Sequence, residues 1–132
     1  MKKNKVAFIS GITGMVGSHL VDYIIKNSDW EIVGLIRWRS PLDNISHLLG
    51  DINDGKRIKL VYGDLKDSIS IDRAIETTTP DYFFHLAAQS FPKTSFDAPL
   101  DTMDTNVQGT NRILESLKKY APEVEGVVNI DA

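Results

Sequence analysis

Short apolar runs alternate along almost the whole sequence with longer segments whose apolar residues recur at helical period. Four of the segments predict helices, at Met15–Lys26, Leu42–Ile52, Ile69–Thr77 and Pro99–Tyr120. The runs predict strands at Val6–Ser10, Glu31–Ile36, Ile58–Tyr62, Tyr82–Leu86 and Glu125–Ile130. Strands that alternate with helices pair in parallel through right-handed crossovers. Because the strands are apolar throughout, we expect helices to cover both faces of the sheet.

These features predict a doubly wound α/β sheet of the Rossmann type with strand order 3-2-1-4-5. We expect one domain over residues 1–132, truncated after strand 5 and therefore incomplete, with no C-terminal substrate domain. In sheets of this kind, ligands bind beyond the carboxyl ends of the strands, at the switch between strands 1 and 4. The candidate functional motifs all fall at that end.

The composition limits the possible functions. The formal net charge is −3 at pH 7, which gives no general attraction to nucleic acid or to an anionic membrane. No run approaches the ~18 apolar residues of a membrane span. Cysteine is absent, which excludes disulfides and thiolate-bound metals and agrees with a cytoplasmic location. The three histidines lack metal-ligand spacing. We expect no metal, nucleic acid or membrane partner.

A glycine-rich turn connects strand 1 to the first helix, with the sequence Gly11-Ile12-Thr13-Gly14-Met15-Val16-Gly17. A helix that begins directly after such a turn points its free N–H groups and its positive dipole end at an anion. Gly11 permits the tight turn, Gly14 lets a phosphate approach the backbone, and Gly17 lets the helix pack close to the strand. We therefore expect a dinucleotide pyrophosphate at this turn rather than an ordinary strand–helix connection.

The residues after strand 2 favour NADP over NAD. A carboxylate there would accept a hydrogen bond from the ribose of NAD, but this chain has Arg37, Arg39 and Ser40. Arginine forms charge-assisted bonds with a 2′-phosphate. The alternatives are that the arginines are solvated surface groups or contact another subunit, and NAD stays open as the cofactor.

Two further strand ends carry candidate residues. Asp64 and Leu65 follow strand 3, where the Asp side chain can accept from the adenine amine and its neighbour's backbone can line the adenine pocket. An ordinary turn Asp is the alternative. Strand 4 ends at His85, and the small residues that follow it leave room for the ribose and the nicotinamide. We interpret His85 as a packed structural residue and assign it no chemistry.

Six segments together resemble a known family: Ser10–Ser18, Arg37–Ser40, Tyr62–Leu65, His85–Ser90, Ser95–Asp97 and Asn106–Thr110. The chain is similar to the extended short-chain dehydrogenase/reductases, and within them to the GDP-mannose 4,6-dehydratases and related nucleotide-sugar dehydratases. The resemblance implies a lyase that acts on a nucleotide sugar. A hydride passes from sugar C4 to NADP, water is eliminated across C5–C6, and the hydride returns at C6. The product is a 4-keto-6-deoxy sugar.

The resemblance also implies roles for individual residues. Thr13 and Val16 hold the pyrophosphate with the turn glycines, Ser90 faces the sugar, and Asn106 makes a structural or cofactor-side hydrogen bond unless it is an exposed amide. The full set of expected cofactor-binding residues is Gly11, Thr13, Gly14, Met15, Val16, Gly17, Arg37, Arg39, Ser40, Asp64, Leu65, Leu86, Ala87, Ala88 and Gln89.

The family's catalytic groups are missing from the chain. The family needs a Ser or Thr just after strand 5 and a Tyr-x-x-x-Lys on the next helix, and we expect no catalytic residue here. The pair Tyr62 and Lys66 has the right spacing but spans a strand end and a turn, so we reject it. A stand-alone NAD(P)-binding regulatory module and a fragment of a related epimerase or reductase stay open. Because strand 5 would leave an exposed edge, we expect a homo-oligomer, and marginal stability of the chain is the alternative.

Overall fold

The computed structural model describes residues 4–37, 43–48, 50, 52, 55, 57–86 and 108–129. In these ranges a single parallel sheet has five strands, β1 (Val6–Ser10), β2 (Glu31–Ile36), β3 (Ile58–Tyr62), β4 (Tyr82–His85) and β5 (Gly126–Asn129). Their spatial order is β3-β2-β1-β4-β5. This arrangement confirms the predicted doubly wound topology.

Three α-helices and one 3₁₀ helix connect the described strands. They are α1 (Met15–Asn27), α2 (Ser68–Thr78), α3 (Gly109–Tyr120) and the 3₁₀ helix Asp43–Leu48. The observed bounds of α1 and α2 lie within one residue of the predicted ones. The first part of the predicted last helix, residues 99–107, lies outside the described residues. None of the described helices is long and apolar enough to cross a bilayer.

The predicted short helix over 42–52 differs from the structure in its first half. Residues Asp43–Leu48 form a 3₁₀ helix, and Ile45 interrupts the helical geometry with φ −117° and ψ 15°. The sequence Asp-Asn-Ile-Ser explains the difference, because Asp, Asn and Ser are residue types that favour turns over an α-helix interior. Ile45 and Leu48 are nevertheless buried, as the apolar spacing predicts.

The core consists of two layers, one on each face of the sheet. Successive strand residues point to opposite faces, so Val6 and Phe8 belong to one layer while Ala7 and Ile9 belong to the other. The first layer packs against α2 and α3, and the second packs against α1 and the 3₁₀ helix. The continuous apolar strands are thus covered on both faces, which confirms that part of the prediction.

Candidate functional site

The candidate site lies where the strand order reverses, at the carboxyl ends of β1 and β4. Ser10 ends β1 and stands in register with Leu35 of β2 on one side and with His85 of β4 on the other. The chain after β1 runs into α1 on one face of the sheet, and the helix that precedes β4 covers the other face. The end of β1 at Ser10 therefore lies at the point where doubly wound sheets form their ligand-binding crevice.

The glycine turn has the tight geometry that its sequence predicts. Gly11 adopts φ +82°, a conformation that side-chain-bearing residues rarely take. The Gly14 N–H donates to the Gly11 carbonyl oxygen at 3.0 Å and closes the turn. A β-carbon on Gly17 would lie 2.1 Å from the same oxygen, so α1 approaches the turn as closely as a backbone allows. The helix start is thereby fixed at the end of β1.

Ile12 anchors the turn to the sheet. Its side chain is fully buried in the layer beneath α1. A β-carbon on Gly34 of β2 would come within 2.4 Å of Ile12 Cδ1, so the missing side chain at Gly34 makes the space that Ile12 fills. Packing of Ile12 against the sheet therefore holds the turn, and the opposite side of the turn faces the crevice.

The start of α1 presents backbone N–H groups at the end of the glycine turn. Gly14 is the N-cap residue and makes no side-chain cap hydrogen bond. The Ser18 hydroxyl donates to the Met15 carbonyl oxygen at 3.0 Å and is thus turned into the helix. The first N–H groups of a helix have no intrahelical acceptor, so an anion above Gly14 would find them together with the positive end of the dipole. The exposed side chains of Met15 and Val16 flank this point.

A buried hydrogen-bond chain links β1, β4 and α3 below the crevice. Ser10 Oγ and His85 Nδ1 are 2.7 Å apart, and His85 Nε2 is 3.1 Å from Thr110 Oγ1. The Leu86 N–H donates to Ser10 Oγ at 3.1 Å. Ser10 and His85 are both buried. His85 is therefore a structural bridge between Ser10 and Thr110, as expected, and Ser10 holds the Leu86 N–H directly after β4.

Arg37 follows directly after β2 on the same edge of the sheet, and its position is exposed. The Ile36 carbonyl oxygen, one residue earlier, accepts from the Gly63 N–H at 3.0 Å. This backbone hydrogen bond connects the ends of β2 and β3, where the segments expected to contact the 2′-phosphate and the adenine begin. Arg39 and Ser40 lie outside the described residues.

Asp64 has the hydrogen bonding of a turn residue. Its Oδ1 accepts from the Lys66 N–H at 3.0 Å, and its carbonyl oxygen accepts from the Asp67 N–H at 2.9 Å. One of the two carboxylate oxygens therefore has the bonding expected if Asp64 is an ordinary turn residue. The side chain is exposed on the crevice edge, so an additional contact to an adenine is compatible with this geometry.

Leu65 is buried beneath α3, unlike its neighbour. Its side chain packs where a β-carbon on Gly109 would come within 3.0 Å of Leu65 Cβ. The Arg112 guanidinium donates from Nη1 to the Leu65 carbonyl oxygen at 2.7 Å. The loop after β3 is thus held by the first turns of α3.

Several expected site residues lie outside the described ranges. They are Ala87, Ala88, Gln89 and Ser90, together with Asn106 and the segment Ser95–Asp97. Thr13 is partly buried in the glycine turn, and Leu86 is the last described residue after β4. The rejected pair has Tyr62 at the end of β3 and Lys66 in the turn beyond it, which is not the spacing of one helical face.

The sequence interpretation missed the supporting roles of four residues: Ser10, Gly109, Thr110 and Arg112. Ser10 and the Gly109-Thr110 pair belong to segments that carry the family resemblance, so the resemblance marked them without giving a role. Arg112 carried no signal at all. Its bond to Leu65 joins positions 47 residues apart, and no local pattern encodes such a contact.

A family model described as GDP-mannose 4,6 dehydratase matches residues 8–128. Among curated proteins, the GDP-mannose 4,6 dehydratase of Drosophila melanogaster is 41% identical over 125 residues, which cover 92% of this chain and 31% of that protein. The GDP-mannose 4,6-dehydratase of Vibrio cholerae serotype O1 is 39% identical over 118 residues, which cover 86% and 31%. The chain thus spans about a third of the length of these relatives.

Solved structures of related fold include epimerases. A UDP-glucose 4-epimerase of Thermotoga maritima, determined with UDP-glucose, superposes with a TM-score of 0.77 at 25% identity over 94% of this chain and 37% of that one. An epimerase of Methanothermobacter thermautotrophicus gives a TM-score of 0.74 at 28% identity over 96% and 35%. The architecture of the described sheet is therefore shared with these two epimerases.

Proposed function

Because the chain belongs to the GDP-mannose 4,6-dehydratase family, we propose that it is the NADP-binding part of a nucleotide-sugar 4,6-dehydratase. The proposed reaction converts a GDP-sugar to its 4-keto-6-deoxy derivative. The observation that carries this proposal is the family match over residues 8–128, which includes the glycine turn, the whole of β2, β3 and β4, and most of β1 and β5. The 41% and 39% identities to GDP-mannose dehydratases favour the dehydratase reaction over a related epimerase or reductase.

The glycine turn supports a dinucleotide as the cofactor. The site offers a backbone cradle in which a β-carbon at Gly14 would come within 3.3 Å of the Gly11 carbonyl oxygen and one at Gly17 within 2.1 Å. A pyrophosphate fits such a surface because its oxygens approach backbone N–H groups directly. Gly11, Thr13, Gly14, Met15, Val16 and Gly17 would form this part of the site.

Arg37 supports NADP rather than NAD. It stands at the carboxyl end of β2, the place where NAD-binding domains of this fold carry a carboxylate for the ribose hydroxyls. A guanidinium there would pair with a 2′-phosphate, and Arg39 and Ser40 would add to the same contact. Asp64 and Leu65 would contact the adenine, while Leu86, Ala87, Ala88 and Gln89 would lie beside the nicotinamide ribose.

These positions indicate what the bound cofactor and the residues of this chain would each contribute. When bound, NADP supplies a reversible hydride acceptor. The residues of this chain would bind and orient it, and Ser90 would face the sugar. The sequence contains no tyrosine after Tyr120 and hence no Tyr-x-x-x-Lys beyond β5, so we expect the 132-residue chain by itself to bind the cofactor without converting a sugar. We further propose that it acts in the cytoplasm and associates with a second copy of itself.

A calorimetric titration of the 132-residue chain with NADPH and with NADH tests the cofactor assignment. We expect saturable binding near one equivalent, with NADPH bound more tightly. Gly17→Ala should lose binding, because the added methyl displaces the start of α1 from the Gly11 carbonyl oxygen. GDP-mannose incubated with the chain and NADP should remain unchanged. The assignment fails if neither nucleotide binds to a folded chain.

A further inference from the structure

The first turns of α3 contact the loop that follows β3. Arg112 reaches across 47 positions of sequence to donate to the Leu65 carbonyl oxygen at 2.7 Å. Gly109 lies against the Leu65 side chain, so closely that a β-carbon there would be 3.0 Å from Leu65 Cβ and 3.4 Å from Cδ1. The loop therefore sits directly on α3, through one hydrogen bond and one tight apolar contact.

The opposite side of the same loop is fixed by α2. The Asp64 N–H donates to Ser70 Oγ at 3.1 Å, and the Asp67 carboxylate accepts from the N–H groups of Ile69 and Ser70 at the start of α2. The Leu65 side chain is 6% exposed between the two helices. With α2 holding Asp64 and α3 holding Leu65, the position of this peptide depends on both helices.

We propose that Arg112 is a positioning residue for the adenine end of the cofactor site. It holds the Leu65 carbonyl oxygen against α3, and thereby keeps the exposed Asp64 carboxylate and the Leu65 backbone turned toward the crevice edge. A charge-assisted hydrogen bond to a carbonyl oxygen is strong enough to select one loop position. This inference rests on the proposed function, because it takes the loop after β3 to be the adenine contact.

The test measures how tightly the 132-residue chain binds three ligands. They are NADPH, adenosine 2′,5′-bisphosphate, which carries the adenine end alone, and reduced nicotinamide mononucleotide, which carries the other end alone. We expect Arg112→Ala to weaken the binding of NADPH and of the bisphosphate by the same factor, about tenfold. Binding of the mononucleotide should stay at its wild-type level. Arg73→Ala removes the same charge from an exposed position on α2 and should change none of the three affinities.

Two further variants separate positioning from general damage to the fold. Arg112→Lys keeps a cationic donor and should recover most of the affinity for the bisphosphate. Gly109→Ala should reproduce the loss through Leu65, although alanine favours a helix more than glycine does. These two variants also carry the test if Arg112→Ala does not fold. Amide shifts of Asp64 and Leu65 in nuclear magnetic resonance spectra should move in both Arg112→Ala and Gly109→Ala.

The outcomes distinguish this inference from the function on which it rests. Equal loss for all three ligands, or unchanged bisphosphate binding in folded Arg112→Ala and Gly109→Ala, overturns the positioning role while leaving the cofactor assignment intact. Failure of the wild-type chain to bind NADPH and NADH overturns the proposed function, and the positioning role with it.

Discussion

The carbonyl oxygen of Gly11 lies 2.1 Å from the point where residue 17 would carry a β-carbon. The Gly11 carbonyl carbon and Ile12 Cα both lie within 2.9 Å of that point. All three atoms belong to the backbone, so no side-chain rotation relieves the contact. The start of α1 can take its observed place above β1 only if residue 17 is glycine.

Gly17→Ala should therefore destabilise the chain by about 3 kcal/mol, the upper part of the range for overpacking a buried position. The matched control is Gly50→Ala, because nothing lies within 4 Å of a β-carbon at that residue. Urea unfolding followed by circular dichroism measures both variants. Equal stability of the two variants would show that the described approach of α1 to Gly11 is wrong.

Two buried serines should respond in opposite directions to replacement by alanine. Ser10→Ala removes the hydroxyl that contacts His85 Nδ1 at 2.7 Å, and the cost should be about 2 kcal/mol because a buried polar group loses a partner. Among the described residues, Ser116 Oγ is buried in α3 without a hydrogen-bond partner. Ser116→Ala should therefore raise the free energy of unfolding by up to about 1 kcal/mol, because alanine is also the better helix former.

Denaturant unfolding of the two serine variants gives the comparison in one experiment. A loss of stability in Ser116→Ala similar to that in Ser10→Ala would mean that the Ser116 hydroxyl has a partner after all. An unchanged Ser10→Ala would mean that the bridge from β1 to His85 contributes nothing to the fold.

The proposed 2′-phosphate contact predicts a selective effect at Arg37. Arg37→Asp should weaken the binding of NADPH by about tenfold or more, because it replaces an attraction with a repulsion. The affinity for NADH should stay within about twofold of the wild-type value. Arg73→Asp makes the same charge reversal at an exposed position on α2 and should affect neither nucleotide. Parallel fluorescence titrations measure the ratio, and equal losses for both nucleotides in Arg37→Asp would remove the phosphate role.

The proposed self-association predicts that the edge of the sheet controls the oligomeric state. β5 pairs with β4 and forms one edge of the described sheet, and Val127 and Val128 are 40% and 43% exposed there. Light scattering after size-exclusion chromatography should give a mass above 14.7 kDa. Val127→Lys or Val128→Lys should shift the measured mass toward that of the monomer, because charged residues on an edge strand oppose pairing with another strand. A stable wild-type monomer would contradict this expectation.

The sequence predicted the sheet well because each strand is a local signal. Runs such as Val6–Ser10 and Glu31–Ile36 are apolar over their whole length, and the structure begins and ends these strands at the predicted residues. The strand order followed from the parallel topology that alternating helices require. The 3₁₀ helix Asp43–Leu48 was predicted less well, because its burial pattern is helical while its polar residues favour turns.

For the candidate site, the sequence predicted only the features that depend on the backbone. The tight turn at Gly11 and the close packing at Gly17 follow from strand, glycine and helix in succession, and the structure shows both. The contacts of Thr110 with His85 and of Arg112 with Leu65 depend on how α3 sits on the sheet. Such contacts arise from the assembled fold, so the order of residues alone does not predict them.

The most direct test of the central claim is the affinity of the 132-residue chain for NADPH, measured by calorimetry beside Gly17→Ala and Gly50→Ala. We expect NADPH to bind near one equivalent to wild type and to Gly50→Ala, NADH to bind more weakly, and Gly17→Ala to lose binding. A folded wild-type chain that binds neither nucleotide would contradict it.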